Sequence, residues 1–383
     1  MRKWLTRIGL ILLALVLAGG GLAIVKREEI TRLLAVNTLF APDRIVANFS
    51  DMRGAFLWVP LQGQAGEPPP QGVETRLPVG AEQWIIDRQI TGLVVLRGGA
   101  VAHESYYLGT GPDDLRISWS VAKSFLSLLT GILVDEGRID LSDPVEKYAP
   151  VLATSAYAGA TVQDILQMES GVAFDEDYFD PDSDINRMGR VIALGGALDE
   201  FTAALDTRDR APGEAMTYVS MDSHVLGMVL RGATGATIPV LMAERLTGPM
   251  GIGPAYFLTD GEGVAFVLGG LNMRTRDYAR MGLLVSQGGR LDGQQIVPAH
   301  WVNVSTVPSA KTGAGQMKYG YQWWMPSDAR AGEVMAQGVY GQFVYIDRAR
   351  DVVIAVNAAD RNFRATGVSK ANIEMFRAIA AAQ

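Results

Sequence analysis

The sequence predicts an α+β domain in two layers: one antiparallel sheet assembled from both ends of the domain, with a helical region inserted between them. Three observations carry this expectation. A strand pair with a glycine turn opens the domain, strand-like runs close it, and residues 140 to 310 between them recur mainly with helical spacing.

In chain order, MRKWLTR carries Arg2, Lys3 and Arg7, and an uncharged run of 18 residues follows from Ile8 to Val25. At 1.5 Å per residue such a run spans about 27 Å, close to the hydrocarbon thickness of a bilayer. Residues 1–7 are therefore expected as a cytoplasmic tail and 8–25 as a single-pass transmembrane anchor in the inner membrane. The basic flank stays inside, which places the domain on the periplasmic, extracytoplasmic side. A signal peptide cleaved near GLA (21 to 23), releasing the protein to the periplasm, is the alternative. Residues 26–76 read as a juxtamembrane segment and a Pro/Gly linker, because GQAGEPPPQG (63 to 72) suits neither helix nor central strand. The domain proper is assigned to 77–383.

Within it, Leu93 to Leu96, a Gly98-Gly99 turn and Val101 to Tyr107 form the opening hairpin. After Ser120, Phe125, Leu128, Leu129, Ile132 and Leu133 recur at three and four, a helix that ends at Gly137. FDEDYFDPDSD (174 to 184) is acidic but lacks the spacing of a calcium loop, and is expected as a solvated, mobile loop. Strand patterns return in YGYQWWM (319 to 325), QFVYID (342 to 347) and DVVIAVNA (351 to 358). Ile373, Phe376 and Ile379 mark a terminal helix.

Composition narrows the function. The net charge is −7 and no basic run stands outside the N-terminus, so nucleic acid is not an expected partner. The absence of cysteine excludes thiol nucleophiles, zinc–thiolate sites and disulfides. A three-histidine metal site would consume His103, His224 and His300 together, and each of these reads as structural. Neither a metal nor a cofactor is expected.

The chemistry is sought in SWSVAKSF (118 to 125). Ser120 and Lys123 stand three apart at the start of the helix, hence on one face. Free N–H groups at a helix N-terminus can donate to a developing oxyanion, and a desolvated lysine can serve as the base that serine needs. Tyr218-Val219-Ser220 follows later, after a Pro-Gly turn and before another apolar helix.

With SWSVAKSFLSLLTGILVDEGRIDLSDPVEKYAP and GGLNMRTRDYARMGLLVSQGGRLDGQQIVP beside these motifs, the chain resembles the serine β-lactamase and penicillin-recognising superfamily. It is most similar to the branch of class C β-lactamases, family VIII carboxylesterases and 6-aminohexanoate-dimer hydrolases, over roughly residues 80 to 380. The resemblance implies a β-lactamase/transpeptidase-like fold and a serine hydrolase that forms an acyl-enzyme with a small amide or ester. It implies Ser120 as the nucleophile, Lys123 as the group that holds and relays its proton, and Tyr218 as the second base, delivering the proton to the leaving group. Ser220 stands where β-lactamases usually carry asparagine.

The family's third motif, Lys-Thr-Gly, has a literal match in Lys311-Thr312-Gly313. That match is set aside, because SAKTGAGQ reads as loop and an aromatic strand intervenes before the last strands. AQGVYGQFVYID (336 to 347) occupies the right place. There Gln337-Gly338 stand for Thr-Gly, the backbone N–H of Val339 pairs with that of Ser120 as the oxyanion hole, and Ala336 replaces the lysine. Ser220, Gln337 and Gly338, with Trp119, Asn272, Tyr340 and the 174 to 184 loop, are expected to bind substrate. A true β-lactamase or D-Ala-D-Ala carboxypeptidase is the alternative, disfavoured by Ser220 and Ala336. From a different class stands a catalytically inactive cell-wall-binding or sensor module.

Overall fold

The computed structural model describes residues 4, 7, 8 and 26 to 382. Apart from Ile8, the expected anchor lies outside the described residues. Among those described, no single helix is long and apolar enough to cross a membrane.

Strands β1 (Leu57–Leu61), β2 (Ile90–Arg97), β3 (Ala100–Tyr106) and β4 (Arg116–Ile117) precede most of the helical region. Strands β5 (Ala255–Thr259), β6 (Leu271–Met273), β7 (Arg290–Leu291) and β8 (Gln294–Gln295) punctuate it. The chain closes with β9 (Lys318–Tyr319), β10 (Trp324–Met325), β11 (Glu333–Gly338), β12 (Gln342–Asp347) and β13 (Val352–Ala358), then the helix Val368–Ala381.

The main sheet runs β3-β2-β13-β12-β11-β10-β9, antiparallel throughout. Val95 faces Ile354 where the opening hairpin meets the closing strands, so both ends of the domain build one sheet, as expected. Its middle is covered on both faces, which explains the unbroken apolar run in β13. Val353 and Ala355 point toward the inserted helices, whereas Val352, Ile354 and Val356 pack with Trp84 and Phe376 of the outer helices. The Gly98-Gly99 turn has φ of 57° and 80°, a left-handed geometry that glycine adopts without strain. YGYQWWM departs from expectation. It is not one strand but a tight hairpin of β9 and β10, bent at Gln322 (φ 64°).

The predicted boundary at residue 77 moves toward the N-terminus. β1 pairs with β5 in a second sheet of order β1-β5-β6-β4. The helices Arg27–Asn37 and Ile45–Ser50 precede it, and Leu39, Ile45, Phe49 and Met52 are at most 2% exposed within the main core. The segment behaves this way because enough of its apolar residues fall on the side turned to the domain, although Ile30, Leu34 and Trp58 stay exposed. The Pro/Gly stretch is likewise no free linker. It lies along β3, where the N–H of Val101 donates to the carbonyl of Pro70 and those of Gly72 and Thr75 to the carbonyls of Val101 and Ala102. A proline-rich strap suits a sheet edge, since it covers open carbonyls and N–H groups without continuing the sheet.

Candidate active site

Trp119 takes a left-handed backbone (φ 41°), costly for a bulky residue, and turns the chain into the helix Val121–Asp135 with Ser120 at its N-cap. The helix lies deep because Gly131 lets Trp301 approach: a Cβ there would stand 2.2 Å from the indole. At the C-terminal end, Gly137 (φ 68°) follows the last turn.

Lys123 lies one turn along and is 2% exposed. Its Nζ donates to the Ser120 hydroxyl at 3.3 Å and to the Leu268 carbonyl at 2.7 Å. Burial pushes its pKa down to about 7, against the opposing pull of Glu176 and Asp222. Lys123 can therefore stand neutral beside the serine near pH 7. Its Nζ also lies 5.5 Å from the centroid of the Tyr218 ring. Burial first, then the Glu176 carboxylate, pushes the Tyr218 phenol well up, and hydrogen bonding with Ser120 and Ser220 pulls it back in part. Tyr218 is thus a protonated phenol at rest, a proton donor in waiting rather than a standing base.

The β11–β12 turn meets Ser120 from the other side. Ala336 and Gly338 point toward the helix Val121–Asp135, and a Cβ on Gly338 would lie 2.8 Å from the Ser118 carbonyl and 3.0 Å from the Ser120 nitrogen. Only glycine permits so close an approach. Tyr340 (φ 59°) and Gly341 (φ 87°) complete the turn. Gln342 holds it from below, donating to the carbonyls of Tyr340 (3.2 Å) and Ala358 (2.8 Å) and accepting from Asn357 (3.0 Å). Ser120 and Val339 both line the cavity in front of the serine, and neither N–H donates a turn or cap hydrogen bond among the described residues.

That cavity holds about 330 Å³. Trp119, Ser220 and Tyr340 line it as expected, with Tyr178 and Phe179 of the acidic loop. Three of the expected residues do not: Asn272, Gln337 and Gly338, the last lying against Ser118 and Ser120 instead. Asn272 is fully buried in β6, its amide donating to the Gly270 carbonyl at 2.9 Å. Gln337 shares a face with its partner Phe343, on the far side of the sheet. Strand alternation decides this, since Gly338 must face Ser120 and its neighbour then faces away. Ala336 is buried with no cation in its place. Lys311 is exposed, its ammonium on the Gly213 carbonyl and its N–H on Glu169, and it does not line the cavity. None of the three histidines lines it either. His224 is buried against Asp199 at 2.8 Å, His103 bonds Ser105 at 2.9 Å, and His300 is exposed.

Sequence reasoning missed two carboxylates. The 174 to 184 loop is solvated, with Asp175, Asp177 and Phe179 to Asp182 exposed, but it is also tied down: Asn186 donates to the carbonyls of Asp177, Tyr178 and Asp180, and Tyr178 donates to Glu176 at 2.8 Å. Glu176 in turn accepts the N–H of Ser220. Tyr178 and Phe179, set among the acids, were the signal, and the Arg364 guanidinium lies 4.6 Å over Tyr178. Asp222 is fully buried and accepts from Tyr157 at 3.0 Å, and burial pushes its carboxyl up to about 8. The sequence also concealed the N-terminal wall of the cavity: Val36, Leu39, Phe40 and Phe56. Among the described residues no cluster is fit to hold a metal ion.

The family model described as Beta-lactamase matches residues 82–373. The 6-aminohexanoate-dimer hydrolase of Paenarthrobacter ureafaciens is 32% identical over 296 residues, 73% of this chain and 75% of that protein. Among solved structures, one from Bacillus anthracis assigned as a 6-aminohexanoate-dimer hydrolase superposes with a TM-score of 0.78 at 22% identity, covering 89% of this chain and 95% of its own. A family VIII carboxylesterase superposes with a TM-score of 0.56 at 16% identity, covering 76% and 93%. At these identities the two structures speak for the fold alone.

Proposed function

The chain belongs to the β-lactamase family and is a serine hydrolase, and on that premise we propose that it cleaves a small ester or amide through an acyl-enzyme on Ser120. The observation that carries this reading is a buried lysine amine 3.3 Å from a serine hydroxyl at a helix N-terminus, with two uncommitted N–H groups beside it. Ser120 Oγ attacks the acyl carbon and its proton passes to neutral Lys123. The N–H groups of Ser120 and Val339 take the charge that forms on the acyl oxygen. Tyr218 gives its proton to the departing oxygen or nitrogen and is reprotonated from Lys123. Water then attacks the acyl-serine by the same route in reverse, releasing the acid and restoring Ser120.

A β-lactam carries a carboxylate beside its reactive ring, and a charge-assisted hydrogen bond to it contributes about 1.5–3 kcal/mol. Ala336 supplies no cation, Lys311 lies away from the cavity and Gln337 faces the other way. Esters are accordingly the better substrates. Fluorophosphonate labelling of Ser120 and kcat/KM for p-nitrophenyl butyrate against nitrocefin test this together. Labelling lost in Ser120→Ala, with the ester turned over faster, is expected. A nitrocefin value at or above the ester value would make the protein a β-lactamase, and no label on Ser120 would remove the acyl-enzyme.

The basic flank and the apolar run 8–25 support a single-pass anchor with the hydrolase on the periplasmic side. Retention in the membrane after carbonate washing is the expected result, and a soluble product beginning near Ile24 would show cleavage instead.

A further inference from the structure

The cavity in front of Ser120 is closed by residues outside the family match of 82–373. Leu39, Phe40 and Phe56 belong to the N-terminal segment, and Phe40 stacks on Tyr340 at 4.8 Å and 12°. Ile185, Met188 and Ile192 of the helix Asp184–Ala193 form the facing wall. Among the described residues no carboxylate lines the space. Arg190, the one cation among the described lining residues, is exposed and donates to the Pro181 carbonyl. A cationic group seated inside would lose its hydration and meet no carboxylate, and the one guanidinium open to an anionic group is itself exposed to solvent rather than set in the cavity's depth. Direction matters as much as chemistry. Ser120, Ser220 and Val339 line the cavity, but Lys123 and Tyr218 do not. A leaving group must depart beside the phenol that protonates it, so the part of the substrate that enters the cavity is the acyl part.

Resting on the serine-hydrolase reading above, we infer that this cavity is an acyl-tail pocket, and that the substrates are esters or amides of uncharged aliphatic or aryl-ended carboxylic acids. Its 330 Å³ takes about ten non-hydrogen atoms, if each fills roughly the 30 Å³ that a water occupies in the liquid.

The test is a p-nitrophenyl ester series from acetate to dodecanoate on the full chain, run beside acetate esters of alcohols of increasing length. Each methylene buried in the acyl series raises kcat/KM about threefold to fourfold, until the tail outgrows the cavity near eight to ten carbons. Lengthening the alcohol has little effect. Gly189 lines the cavity, and a Cβ there meets nothing within 4 Å. Gly189→Leu therefore fills the space on a helix that leucine suits better than glycine. It lowers the octanoate-to-acetate ratio of kcat/KM at least tenfold, and circular dichroism checks that the variant is folded. An acyl series that is flat while acetate is turned over would overturn the pocket and leave the hydrolase standing, as would a rise confined to the alcohol series. Loss of every ester activity together with absent Ser120 labelling would overturn both. An unchanged ratio in a folded Gly189→Leu would also overturn it, and Phe40→Ala provides a second variant, expected to move the optimum to longer tails.

Discussion

At position 123 a lysine with 2% of its surface exposed sits against a serine hydroxyl, and this burial governs what it can do there. Its pKa of about 7 means that the neutral amine, the form able to accept the serine proton, prevails above that pH and is lost below it. The pH profile of kcat/KM should therefore show an ascending limb with a midpoint near 7. Glu176 raises this pKa by favouring the ammonium, so Glu176→Gln should move the limb toward acid. A limb that stays fixed or moves toward alkali would remove Glu176 from this role. Lys123→Arg keeps a cation that cannot give up its proton, and should cost at least about a thousandfold in kcat.

The β11–β12 hairpin shows how an element constrains a site without supplying a reactive side chain. Its turn presents Val339 N–H only because Gly338 lies flat against Ser118 and Ser120. Gly338→Val should therefore abolish measurable turnover, since the branched side chain must push the turn off the nucleophile. Lys311→Ala alters an exposed side chain away from the cavity and should change kcat/KM less than about threefold, within the ±0.5 kcal/mol usual for surface substitutions. Steady-state kinetics on the two variants rank them, and the reverse ranking would return the third motif to 311–313. Element-scale patterning was legible where apolar spacing was regular, as in the helix after Ser120 and in β12 and β13. It failed at YGYQWWM, where continuous aromatic character concealed a turn at Gln322.

At the scale of the whole molecule, the N-terminal segment is a wall of the domain and not a tether. Phe49 is fully buried, edge-on to Trp119 at 5.5 Å and to Tyr340 at 5.5 Å. β1 supplies an outer strand of the second sheet. A protein beginning at Val73 would lose these contacts and open the cavity, so it should aggregate or lack activity, whereas one beginning at Lys26 should fold and turn over esters. Phe49→Ala, which leaves the chain intact, should cost about 3–5 kcal/mol in denaturant unfolding. Full activity of the version starting at Val73 would return the boundary to residue 77.

The sequence by itself determined the sheet built from two ends and the placing of Ser120 and Lys123 on one helical face. Each follows from local spacing, which backbone geometry converts directly into position. The tertiary structure decided the rest. Whether Lys123 is neutral depends on how far burial outweighs the opposing pull of Glu176 and Asp222, and these neighbours, with the Leu268 carbonyl, come from distant parts of the chain. Gln337 and Asn272 looked like binding residues by position, but the side of a sheet that faces a cavity is known only once strands are paired and layers stacked. Phe40 reaches the site across 80 residues of sequence, because burying its ring against Tyr340 and Trp119 is a long-range contact that no local pattern encodes.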